Sequence, residues 1–380
     1  MAMSRDSKDA RKSEPATASA TSRLRPILAI EYTEDINLEK VYVGRLKEKR
    51  NISKAIQLIS TAAPGFGHLK RCNGFRLLLA RVNNTSSKEL KDSLSAKGFD
   101  LSLLEDEFEV LNLPLKSMRT KNQAEICGKI WPVNFHPDQI TESIISGDIF
   151  NGEDIRKMES LMRSTIEAAR LEAIGNSECN GSALIVDPEN GEILALASSK
   201  INEHPLWHAA MLAIDLVAKI QGGGAWDLII DYRNIDLIKD ENGKRKFDGG
   251  LPLCYPPSLN DVNFPKVEPL VAEKSAKSKP KNKSEDILEG GNVKTGPYLC
   301  TNFWVFMVQE PCALCAMALL HSRASRIFYG VKKTAGFLES KAMLHTTPGL
   351  NHRYQVWAGI LENECEVVCE EMKTRELKLG

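Results

Sequence analysis

Glu310-Pro311-Cys312-Ala313-Leu314-Cys315 runs directly into Ala316-Met317-Ala318-Leu319-Leu320-His321-Ser322-Arg323. Two cysteines separated by two residues at the mouth of a helix put both sulfurs on one side of the first turn, where aligned backbone N–H groups and the helix dipole favour thiolate over thiol. That is a metal-chelating geometry. Pro311 suits a helix start, since its missing N–H would find no partner there anyway, and Met317, Leu319 and Leu320 supply an apolar run behind it. Tetrahedral Zn²⁺ needs more than two thiolates. The best candidate for the remaining protein ligand is His208, at the opening of a second apolar helical stretch that continues through Ala209-Ala210-Met211-Leu212-Ala213.

The chain of 380 residues exceeds the usual size of one domain, so two domains are expected. Its 50 basic and 50 acidic residues cancel, which excludes a uniformly basic nucleic-acid binder and leaves room for a basic patch. Nine cysteines, an odd number, argue for a reducing compartment with thiols and metal ligands rather than a disulfide framework. No apolar run approaches membrane-spanning length. These features give the expectation of a soluble protein of the nucleus and cytoplasm.

Residues 1–24 are rich in Ser, Ala, Thr, Lys and Arg and have little to bury, so a disordered tail is expected there. From Pro26, short apolar strands alternate with helices: Ile27-Leu28-Ala29-Ile30, Val41-Tyr42-Val43, a helix near Ser53 to Ser60, Arg76 to Val82, a helix near Ser87 to Ala96, and Glu109 to Leu113. Residues 25–135 read as a small α+β domain, with a ferredoxin-like arrangement as its candidate topology. Between Val41 and Lys97, twelve basic residues stand against three acidic ones, a net of +9. A charge of that size could hold several phosphates, and Lys47, Lys49, Arg50, Lys54, Lys70, Arg71 and Arg76 are the candidate RNA contacts. The competing reading is a solvated face.

Residues 136–152 read as a linker. The 153–380 domain opens with a helix from Glu153 to Ile174, whose apolar residues recur at helical spacing, followed by a β-hairpin from Ser182 to Ala197 turned by Pro188, Asn190 and Gly191. Residues 240–294 are expected to be a disordered insertion, with Lys274, Lys277, Lys279, Lys281 and Lys283 among residues that cannot support a core. Trp304 to Val308 reads as a buried strand, and Arg326 to Val331 as the next one. Strand, helix, strand in that order favours a parallel pair.

His204-Pro205-Leu206-Trp207-His208-Ala209, Tyr298-Leu299-Cys300-Thr301, the Pro311 to Leu319 run, His321-Ser322-Arg323, Phe328-Tyr329-Gly330 and Leu350 to Trp357 together resemble the cytidine/deoxycytidylate deaminase superfamily over residues 178–361. Within it, the chain resembles the non-catalytic subunits of eukaryotic heterodimeric tRNA adenosine deaminases. The resemblance implies a three-layer α/β/α domain with a mixed sheet, and Zn²⁺ on His208, Cys312 and Cys315. It also implies a catalytic partner subunit, tRNA as ligand, and an N-terminal extension that helps to hold it. Zinc nucleobase deaminases carry His-x-Glu before Pro-Cys-x-x-Cys, the glutamate acting as general acid and base rather than as ligand. Here that position is Ala210. A methyl group moves no proton, so no catalytic residue is assigned, and a self-sufficient nucleoside or nucleotide deaminase would need another base. Glu310 is the nearest carboxylate in sequence. His204 is expected to shape the helix start, and Cys179, Cys254 and Cys300 to be thiols without a metal role.

Overall fold

The computed structural model describes residues 24–173, 181–231, 235–239, 245–270 and 298–379. The expected tail, 1–24, lies outside them except for Leu24, as do the five lysines from 274 to 283. After a short strand, β1 (Arg25–Pro26), and one helical turn, α1 (Ile30–Thr33), comes the N-terminal unit. There β2 (Leu38–Leu46), α2 (Ile52–Ala62), β3 (Cys72–Asn73), β4 (Arg76–Arg81), α3 (Ser87–Ala96) and β5 (Leu104–Pro114) follow in β-α-β-β-α-β succession. The strands make an antiparallel sheet in the order β3-β4-β2-β5. Alternation along β2 sends Tyr42 and Leu46 to the face covered by Ile59 of α2 and Leu90 and Leu94 of α3, and Val41 and Val43 to the other. That other face is closed by α4 (Lys121–Gly128) and by Trp131, whose Nε1–H donates to the Lys70 carbonyl at 2.7 Å.

The sequence places Ile27–Ile30 as the first strand of this unit, and the structure differs. Arg25–Pro26 instead pairs antiparallel with β13 (Gln355–Ala358) in the C-terminal sheet, and the Ile27 side chain is buried in that sheet's core. The cause is local: β13 would otherwise be an open edge, and the apolar Ile27-Leu28 pair finds cover on it.

Residues 136–152 hold α5 (Gln139–Ser146), and its Ile144, with Phe150, is packed into the C-terminal core. This stretch is therefore more than a bare connector. α6 (Gly152–Glu172) follows, started by an Asn151–Asp154 capping box and burying Met158, Leu161, Met162, Ile166 and Ala169 as their spacing predicts. β6 (Ser182–Val186) and β7 (Ile193–Ser198) form the expected antiparallel hairpin. α7 (Ala209–Ile220) follows, then a separate pair, β8 (Ile235–Lys239) and β9 (Arg245–Gly250), then β10 (Leu253–Tyr255). β11 (Trp304–Gln309), α8 (Ala313–His321), β12 (Arg326–Val331), β13 and α9 (Glu362–Leu379) complete the chain.

The sheet runs β1-β13-β12-β11-β6-β7-β10 and is mixed: β11, β12 and β13 are parallel, β10 is parallel to β7, and the other pairs are antiparallel. α7 and α8 cover one face and α6 and α9 the other, so the expected three-layer α/β/α domain with a mixed sheet is present. α9 lies close on β12, since a Cβ on Gly330 would fall 2.2 Å from the Cys365 sulfur. The insertion expected from about 240 begins differently. Leu253–Tyr255 is buried and extends the free edge of β7, and three residues are too few for alternation to reveal a strand.

One buried carboxylate fixes the loop after β12. Glu310 is 2% exposed. Its Oε1 accepts from the backbone N–H groups of Leu338 at 3.0 Å, Glu339 at 2.7 Å and Ser340 at 2.9 Å, and its Oε2 from Lys333 N–H at 3.2 Å and from the Ser340 hydroxyl. A Cβ on Gly336 would lie 2.0 Å from the Glu310 carboxyl carbon, so only glycine allows this wrapping. The loop in turn presents Glu339 to Arg25, two guanidinium hydrogen bonds of 2.7 and 2.8 Å, and to the Tyr329 hydroxyl at 2.7 Å. Burial pushes the Glu339 carboxyl up, but Arg25, Lys332 and Tyr329 outweigh it and hold the group at about 2.

Two outcomes follow from this loop. Gly336→Ala forces the carboxylate or the loop aside, and denaturant unfolding should register a loss of about 1–3 kcal/mol; unchanged stability would mean that the loop has room the structure does not show. Arg25→Met should cost most above the ordinary Glu339 value of 4.5, where the depressed carboxyl is charged and paired. A depressed carboxylate stabilises the fold above its unfolded pKa and loses that contribution as pH falls through the folded one, so the gap between wild type and Arg25→Met should close between pH 4.5 and about 2. A gap independent of pH would refute the ion-pair account.

Candidate metal centre

Two helix N-termini meet at one point. His208 is the N-cap of α7 and Cys312 the N-cap of α8, with Cys315 on the first turn of α8. The core packing of α7 beside α8 brings His208 and the two cysteines together across more than a hundred residues of sequence. His208 Nδ1 lies 3.5 Å from the Cys312 sulfur and 3.4 Å from the Cys315 sulfur, and the three ligand atoms are all within 4.8 Å of one another. Zn–S bonds of about 2.3 Å and a Zn–N bond of about 2.0 Å at the tetrahedral angle place sulfur and nitrogen about 3.5 Å apart, so the three residues fit Zn²⁺.

The second nitrogen of His208 is also fixed. Nε2 is 3.0 Å from the Pro205 carbonyl, an acceptor, so Nε2 carries the proton and Nδ1 keeps its lone pair for a metal. His204 is not part of the set. Its Nδ1 accepts from Leu206 N–H at 3.1 Å and its ring lies against Trp207, in keeping with a role in shaping the start of α7. Cys254 and Cys300 are buried apart from the cluster, and burial pushes each thiol up to about 12, which suits inert core residues. Cys179 lies outside the described residues.

The proton-transfer half of a deaminase is missing here in physical terms. Ala210 is fully buried in the first turn of α7. Among the described residues no carboxylate joins the three-ligand cluster. Glu310, adjacent to Pro311 in sequence, spends both oxygens on five donors of the 333–340 loop and has none left to relay a proton. It serves the site indirectly, because the same loop donates Phe337 N–H to the Pro311 carbonyl at 2.9 Å and steadies the backbone that carries Cys312. Sequence spacing gives no sign of this second duty, since the donors lie 23 to 30 residues away.

The basic residues of the N-terminal unit do not form one set. Arg71 stands apart from the other candidate RNA contacts: its guanidinium donates to the carbonyls of Ala63 at 2.7 Å and Gly65 at 3.0 Å, closing the C-terminus of α2, and it lies over the Phe66 ring. Burial lowers it to about 10, so it remains charged, but its donors are turned inward. Arg50 pairs with Glu48, Lys54 with Asp100 and Arg76 with Glu109, all at exposed positions. Asp100 and Glu109 belong to the acid-rich run from 98 to 114, beyond the window that gave +9, so folding returns acidic charge to the basic segment. Lys47, Lys49 and Lys70 are exposed and make no ion pair among the described residues.

No family model matches the sequence. Among curated proteins, the probable inactive tRNA-specific adenosine deaminase-like protein 3 of Danio rerio is 29% identical over 384 residues, covering 95% of this chain and 98% of its own. Its Homo sapiens counterpart is 30% identical over 353 residues, 90% of each chain. The tRNA-specific adenosine deaminase TAD3 of Arabidopsis thaliana is 26% identical over 321 residues, 73% of this chain and 78% of its own. At 30% identity over 90% of both lengths to such a protein, the chain belongs to the family of the probable inactive tRNA-specific adenosine deaminase-like protein 3.

Proposed function

We propose that the chain is the non-catalytic subunit of a heterodimeric tRNA adenosine deaminase that converts adenosine to inosine at the wobble position of anticodons. In this reading it holds a structural Zn²⁺ and positions tRNA, and a catalytic partner subunit performs the reaction in the nucleus and cytoplasm. The observation that carries it is the pairing of a zinc-compatible His208–Cys312–Cys315 cluster with Ala210 where the acid would stand. In an active deaminase, bound Zn²⁺ supplies an acidified water, and a carboxylate moves its proton to the leaving ammonia. This chain keeps the residues that bind and orient the ion: His208 through Nδ1, its ring held by the Pro205 carbonyl, and two sulfurs at a helix N-terminus. Among the described residues no carboxylate joins that cluster to move the proton. General acid–base help is worth roughly 10² to 10⁴ in rate, so its loss accounts for an inactive site without loss of the fold. The self-sufficient deaminase is disfavoured because Glu310, its nearest candidate base, is fully engaged elsewhere.

Cys312→Ala should lower zinc content and melting temperature together, as read by metal analysis and thermal unfolding of the purified chain. Retention of a full equivalent of zinc and an unchanged melting temperature would remove Cys312 from the site.

The tRNA role falls to the N-terminal unit through Lys47, Lys49 and Lys70, whose charges are free to meet phosphates; Arg50, Lys54 and Arg76 would first have to leave their acidic partners. Changing the three lysines to Glu should weaken tRNA binding by the heterodimer and flatten its salt dependence by about 0.7 to 0.9 in log–log slope for each phosphate no longer neutralised. Arg71→Lys, in contrast, should lower stability and leave that slope alone. An unchanged slope in the triple variant would make the lysines a solvated surface and leave tRNA binding to the partner.

A further inference from the structure

The chain passes between its two units twice, once through residues 28–36 and once through 136–143, and both passages are gripped by the first turn of α4. The first passage is anchored at the deaminase-fold end by β1 on β13, by Ile27 N–H donating to the Val356 carbonyl at 2.8 Å, and by His345 Nε2 on the Ile27 carbonyl at 3.0 Å. At its other end Ile36 packs in the N-terminal core and Leu115 N–H donates to the Asn37 carbonyl at 2.8 Å. Between the anchors lies α1, which buries no residue of its own.

Gln123 of α4 holds that middle. It is 6% exposed, and its side-chain amide is hydrogen-bonded through both oxygen and nitrogen. Oε1 accepts from the N–H groups of Arg119 at 2.8 Å and Thr120 at 3.3 Å, while Nε2 donates to the carbonyls of Glu31 at 3.1 Å and Glu34 at 2.9 Å. One oxygen therefore caps α4 and one nitrogen clasps the crossing segment. Arg119 adds an ion pair to Glu31 at 3.5 Å. Two residues before Gln123, Lys121 N–H donates to the Glu142 carboxylate of α5 at 2.7 Å, and α5 is itself seated on the deaminase-fold core through Ile144. Both connections thus close on residues 119–123.

We propose that Gln123 is a positioning residue: by clasping the Glu31 and Glu34 carbonyls it sets the orientation of the N-terminal unit on the deaminase-fold domain, and so the effective concentration at which tRNA held by one is offered to the site served by the other. This rests on the tRNA-subunit reading above. Two binding modules on a stiff joint act on one ligand far better than the same modules on a loose one. A fully satisfied buried amide is a stiff joint, since any rotation of α4 against the crossing segment leaves polar groups unpaired.

Gln123→Glu tests it with almost no change in shape. The variant keeps an oxygen for the α4 cap and replaces the two crossing donors by an acceptor facing two carbonyl oxygens. In the reconstituted heterodimer, KM for full-length tRNA should rise about tenfold with kcat unchanged, while an anticodon stem-loop, too short to engage both units, keeps its KM. Small-angle scattering of the variant should show a broader spread of distances between the units, and zinc content should not move. Should Gln123→Glu fail to fold, Arg25→Met opens the same crossing from its other anchor and should give the same selective loss. A KM that rises equally on both substrates, or scattering identical to wild type, would overturn the proposal by reducing Gln123 to a stabilising residue. If the wild-type heterodimer itself treated the two substrates alike, the tRNA-holding reading would fall first, and the scattering result would show separately whether the joint exists.

Discussion

A buried carboxyl group needs hydrogen-bond partners for its oxygens, and Glu310 is placed where that demand organises its surroundings. It stands between β11 and α8, and it draws in the N–H groups of Lys333, Leu338, Glu339 and Ser340. Wrapping that loop around the carboxylate aligns Phe337 with the Pro311 carbonyl, and so steadies the turn that presents Cys312. The same wrapping holds Glu339 out to Arg25, which secures the first strand of the chain on the sheet edge. The ligand-bearing turn and the tie between the two units are thus two consequences of one desolvated carboxylate.

The His208–Cys312–Cys315 cluster is held by packing that needs no catalytic group. Sulfurs and an imidazole at two helix N-termini are held by the apolar packing of α7 against α8 and by the Pro205 carbonyl, none of which needs a proton-transfer group nearby. Ala210, in the first turn of α7, is a small apolar residue that is fully buried in the same core as that packing. An ion bound there would stabilise the fold, because ligands that are ordered only in the folded chain turn binding free energy into folding free energy.

Much of the C-terminal architecture was legible because it is written locally. The α6 stripe, the Ser182–Ser198 hairpin, and the parallel pairing of β11 with β12 follow from periodicity, turn residues and chirality. The candidate metal cluster could be picked out for a different reason: Cys312 and Cys315 by their spacing, and His208 by its place at a helix start. What could not be read was whatever depends on distant partners. Arg71 looks like any basic surface residue until the C-terminal end of α2 offers it the carbonyls of Ile59, Ala63 and Gly65, and Ile27–Ile30 looks like the first strand of the N-terminal unit until the open edge of β13, which takes Arg25–Pro26, is known. The count of +9 is local in the same way, since Asp100 and Glu109, which pair with Lys54 and Arg76, lie beyond the window counted.

One preparation can test together whether this chain binds a deaminase's metal and whether it lacks a deaminase's chemistry. The purified chain, without a partner, would be assayed for bound zinc and, in the same sample, for inosine at the wobble position of an in vitro transcribed tRNA under single-turnover conditions. The account requires close to one equivalent of zinc with no inosine, and inosine appearing only when a catalytic subunit is added. Zinc-dependent inosine formation by the lone chain, or a folded chain devoid of zinc, would contradict it.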